Sequence, residues 1–62
     1  MVEGQKVYVS GEVNYCGTTF RVASNGVIRS VSRRNYLVTV DEIDGDSNAT
    51  VLVSKKYVHE AK

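Results

Sequence analysis

The chain has no proline or tryptophan, and only one cysteine and one histidine in 62 residues. Each scarcity removes a class of answer. The single Cys16 cannot close an internal disulfide, and secreted domains of this size usually carry several cysteines, so a reducing compartment is expected. Cys16 reads as a small loop residue, with no basic group adjacent in sequence to activate the thiol. His59, beside Glu60, lacks the partnered nucleophile that general-base catalysis needs and reads as a bystander. No apolar run approaches the ~20 residues of a membrane span. The start "MVEGQKVYV" has no apolar signal core, which makes a cytoplasmic location the expectation.

Eight Lys+Arg against seven Asp+Glu leave a net charge of +1, far from the basic excess of a dedicated nucleic-acid binder. Any electrostatic binding must therefore come from local clustering. A chain this short is expected to form one domain, residues 1–62, and small domains bury only about 60% of their unfolded surface. A deep enclosed active site is not expected. The reading at this level is a protein that is not an enzyme and has no cofactor or metal.

The residues that are present alternate at period two. Apolar side chains recur as Val7 and Val9 in Lys6–Ser10, Phe20 and Val22 in Thr18–Ser24, and Tyr36, Val38 and Val40 in Tyr36–Asp41. Val51 and Val53 do the same in Thr50–Ser54. Each segment predicts a strand with one buried face. Val27–Ser32 is less regular, and the step from Ile28 to Val31 predicts a bulge or a strong bend. Asn25-Gly26 between two apolar runs predicts a tight hairpin, because both residues tolerate positive φ. Ser32–Asn35 predicts a second hairpin, and Glu42–Asn48, containing Asp44-Gly45-Asp46, a longer third. A loop from Gly11 to Gly17 and a tight turn at Ser54–Tyr57 before a last strand, Val58–Glu60, complete the expectation.

Five or six short antiparallel strands point to a small closed all-β barrel. The order of "GQKVYV", "NGVIRSV", "YLVTV", "TVLV" and "SKKYVHE" resembles an SH3-like barrel, in particular the KOW type of ribosomal and transcription-factor proteins. The resemblance covers most of the chain and implies a short 3-10 turn before the closing strand. Unlike a signalling SH3 domain, the chain has no Trp and no aromatic set for binding PxxP segments. An OB-type barrel is the alternative, though OB domains are usually longer.

Charge is laid out along these strands. Counting reversals at each hairpin brings Arg33-Arg34 and Lys55-Lys56 to one end, with Tyr15, Cys16 and Gly17 beside them. Asp41, Glu42, Asp44 and Asp46 go to the other. Paired guanidiniums suit phosphate and aromatic rings offer stacking faces. The leading expectation is therefore weak contact with a DNA or RNA backbone through Arg29, Arg33, Arg34, Lys55, Lys56 and Tyr15. The rival is a protein-binding adaptor or inhibitor, of the kind a phage or other mobile element encodes, using Asp41, Glu42, Asp44 and Asp46. Hairpin tips charged only for solubility are the plain alternative. Asp44, Asp46 and Asn48 match the first ligands of a calcium loop, but Ala49 stands where that loop needs Gly and Lys55 where it needs Glu.

Overall fold

The computed structural model describes residues 1–61. It has five antiparallel strands, β1 (Lys6–Tyr15), β2 (Thr18–Val31), β3 (Asn35–Ile43), β4 (Asp46–Ser54) and β5 (Val58–Glu60), with a 3-10 turn, Lys55–Tyr57, before the last. Hydrogen-bonded neighbours run β2-β3-β4-β1-β5, and β2 also pairs with β1. The first four strands thus close into a ring like that of a small barrel. Among the described residues, no helix is long and apolar enough to cross a membrane.

The strands number five, within the expectation, but β1 to β4 are longer than the sequence suggests. Val7, Val9 and Val13 are all buried, so one inward face runs through Gly11, and the expected loop from Gly11 to Gly17 is mostly strand. The chain turns at Cys16-Gly17 instead, flanked by the pair Tyr15↔Thr18. Both turn residues have positive φ, 52° for Cys16 and 78° for Gly17. That backbone matches the twist of a hairpin.

Asn25-Gly26, the expected hairpin, lies inside β2. Phe20, Val22, Ser24, Gly26 and Ile28 hold alternate positions on the inward face of this one strand, the later two fully buried. Gly26 is paired on both sides, to Val7 of β1 and to Val40 of β3. A Cβ there would stand 2.7 Å from the Thr39 carbonyl oxygen and 2.8 Å from Val38 Cγ1. Glycine is needed here for close approach of a neighbouring strand, not for a turn.

The irregularity expected after Ile28 is a β-bulge. The register with β3 shifts between Ile28 and Ser30, leaving Arg29 as the extra residue. Tyr36, Val38 and Val40 are buried, as their alternation predicts. Most of the remaining core is valine, with Ile28, Ile43 and Ala49, and no polar or charged residue is buried among the described residues. Branched side chains suit this setting because they are stiff and pack well on a pleated surface. The β3–β4 turn is Asp44-Gly45, with φ values of 49° and 82°.

Replacing Gly26 by Ala should therefore lower stability by about 1–3 kcal/mol, the usual cost of overpacking a filled site. The urea unfolding midpoint measures it. Cys16→Asn, which suits positive φ better, should raise stability or leave it within about 0.5 kcal/mol.

Candidate functional site

The two basic pairs meet. Asn35 pairs with Ser54 at the ends of β3 and β4, and the Lys55 amide donates to the Arg34 carbonyl at 3.1 Å. The Ser32 amide donates to the Asn35 carbonyl at 2.9 Å, closing the β2–β3 turn and leaving Arg33 and Arg34 exposed at its tip. Lys55 Nζ lies 5.1 Å from the Tyr36 ring centroid, and Lys56 Nζ the same distance from the Tyr57 ring. Each ring attracts its ammonium, by about 0.5–1 kcal/mol where the pair stays solvated. None of the four cations belongs to an ion pair among the described residues, where the single pair is Arg21–Glu12 at 3.5 Å.

The rings at this end are not free for stacking on bases. Tyr36 is buried, and Tyr57 packs against the core and directly over Gly11. A side chain at Gly11 would overlap that ring. What the basic end presents is charge alone.

Arg29 and Tyr15 do not join it. Arg29, in the bulge, donates from Nε to Thr39 Oγ1 at 3.0 Å, and the Thr39 and Thr50 hydroxyls are 3.0 Å apart. This places Arg29 on the outer face of β2–β3–β4, three residues up β3 from Tyr36, or about 10 Å at the usual rise. It shares a shallow cleft of about 540 Å³ with Asp41 and Asn48. Tyr15, expected beside the arginines, is at the acidic end: its hydroxyl donates to Asp46 Oδ2 at 2.8 Å. The cause is strand count. Because β2 runs unbroken from Thr18 to Val31, its two turns fall at opposite ends, and Cys16-Gly17 lies away from Arg33-Arg34.

The four carboxylates are also divided. Asp41 faces the outer cleft with Arg29, and Asp46 holds Tyr15. Glu42 and Asp44 line a second cleft, about 370 Å³, against Phe20–Ser24 of β2. No group of three or more His, Cys, Asp and Glu able to hold a metal ion occurs among the described residues. Cys16 and His59 are exposed, and His59 pairs with Tyr8 across β1–β5. Sequence reasoning misses the second cleft, because a turn at Asn25-Gly26 would break the strand that forms its wall. Its available signal was the unbroken alternation from Phe20 through Gly26 to Ile28.

Comparison with known families, characterised proteins and solved structures finds no match to this chain.

The Tyr15–Asp46 bond has a pH signature. Donation to the Asp46 carboxylate, then loss of solvent and charge repulsion, push the Tyr15 pKa from 10.0 up to about 12. Because the folded value is the higher one, the stabilisation is complete below pH 10 and disappears as pH rises through about 12. Tyr15→Phe should therefore unfold at lower denaturant than the parent at neutral pH. The gap should close as the alkaline limit is approached, and the absence of any gap at neutral pH would show that the ring's packing against Phe20, which phenylalanine retains, matters instead.

Proposed function

We propose that the protein is a non-enzymatic, cytoplasmic binding module that contacts the phosphate backbone of DNA or RNA through Arg33, Arg34, Lys55 and Lys56. The observation that carries this reading is the Lys55–Arg34 backbone bond, which gathers four cations at one end of a molecule whose net charge is only +1. Guanidiniums donate to phosphate in a two-pronged fashion, and neither arginine is engaged in an ion pair with a carboxylate among the described residues. The resemblance of strand order to the KOW type supports the same direction. With Tyr36 and Tyr57 occupied, the contact reads charge and spacing rather than base identity. A strand leaving the tip along the outer face of β2 meets Arg29 next, which makes Arg29 an auxiliary contact.

Fluorescence anisotropy of a labelled duplex and a labelled single strand across a salt series tests this. Neutralising about four phosphates should give log–log slopes near −3.6 for duplex and about −2.8 for single strand. Arg33→Ala with Arg34→Ala should reduce the duplex slope by about 1.8 and weaken binding equally for unrelated sequences. Absence of binding at low salt, or an unchanged slope in the double variant, would overturn the reading.

A further inference from the structure

The opposite end of the molecule carries a different kind of site, independent of the nucleic-acid reading. A two-residue turn at Cys16-Gly17 makes Tyr15↔Thr18 a hydrogen-bonded pair, and bonded and non-bonded pairs alternate from there. Thr19, Arg21 and Ala23 are consequently the residues whose backbone N–H and C=O groups turn away from β1. No strand meets them on that side, because β3 pairs with β2 only from Gly26 onward. No other backbone bond reaches these three among the described residues.

This edge is not protected in the usual ways. Proline, lysine and bulges blunt exposed edges in other sheets, and Thr18–Asn25 has none of them. Its one charge, Arg21, is turned across the hairpin to Glu12. The edge instead faces the cleft whose far wall is Glu42–Gly45 of the β3–β4 hairpin. Phe20 and Val22 are half-buried and Ile43 is buried, which gives the cleft an apolar floor, while Glu42 and Asp44 are exposed carboxylates without ion pairs among the described residues.

We propose that the free edge of β2 at Thr19, Arg21 and Ala23 captures an extended peptide with alternating apolar and cationic side chains. Backbone groups of the peptide add a strand to β2. Alternate side chains then fall on Phe20, Val22 and Ile43, and those between them face Glu42 and Asp44. Affinity comes from the main-chain ladder and the apolar floor, and preference for lysine or arginine from the two carboxylates.

Nitrogen–proton NMR on the whole chain tests this with a capped peptide of alternating lysine and valine. Three controls accompany it: a glutamate–valine peptide, a lysine–valine peptide N-methylated at alternate amides, and a dilution series without peptide. The lysine–valine peptide should shift the Thr19, Arg21 and Ala23 amides and slow their exchange with solvent. The glutamate and N-methylated peptides should not. Glu42→Gln with Asp44→Asn should weaken binding about threefold to tenfold, as for two exposed ion pairs. Ala23→Pro, which removes an outward N–H while sparing the β1 ladder, should abolish it. Equal binding of the N-methylated peptide, or unmoved amides at millimolar peptide, overturns the proposal. So does concentration-dependent protection of the same amides without peptide, which would assign the edge to a second copy of this chain.

Discussion

Everything in this fold follows from one backbone approach, that of β3 to Gly26. There β2 ends its pairing with β1 and begins its pairing with β3, and for two residues, Gly26 and Val27, it is bonded on both sides. A strand with neighbours on both sides has its polar backbone groups satisfied, and because β4 in turn pairs with β1 the sheet must curl to close the ring. The missing side chain at Gly26 lets the Thr39 carbonyl and Val38 come close enough. The Arg29 bulge then adds local twist that carries the rest of β2 round to β3. Where this double pairing stops, the edge of β2 opens, so closure and the open cleft have the same origin.

The charge layout obeys the same geometry. In an antiparallel meander, successive turns alternate between ends, and the identity of the end is set by counting strands. Two crossings, β2 and β3, separate Cys16-Gly17 from Asp44-Gly45 and bring both turns to one end; two more, β3 and β4, bring the Ser32–Asn35 turn and Lys55 together at the other. Net charge conceals the result, since the four cations at one end are offset by carboxylates elsewhere on the molecule. Cations collect where two chain segments are joined by a backbone bond. Carboxylates, in contrast, are dispersed over two clefts and a tyrosine contact.

Much of this was legible in the residues. The all-β class, the buried face of Tyr36, Val38 and Val40, the irregularity after Ile28 and the meeting of Arg34 with Lys55 follow from alternation and turn chemistry, and the 3-10 turn from the resemblance to an SH3-like barrel. Two dipeptides misled. Asn25-Gly26 has the stronger local preference for a hairpin, yet long-range pairing on both sides of Gly26 overrides it. Cys16-Gly17 has the weaker preference because cysteine is not a favoured turn residue, yet it bends where Tyr15 and Thr18 must pair. Misplacing one turn moved Tyr15 to the wrong end and hid the β2 edge. A local rule was outvoted by tertiary contact, which no window of a few residues can reveal.

The short β5 has a consequence for the order of assembly. β1 through β4 form a run of hairpins, each pairing segments that are neighbours in the chain, and such pairs form on the microsecond scale in isolation. Val13↔Val53 and Val9↔Val58 instead join residues at nearly opposite ends of the sequence. Loop-closure entropy must be overcome before either contact contributes, so they come after the local hairpins. The ring is thus shut late, after Lys55 has been fixed to Arg34 at the end of the β3–β4 hairpin. The basic end, joined by Asn35↔Ser54 and the Lys55–Arg34 bond, is assembled before that closure.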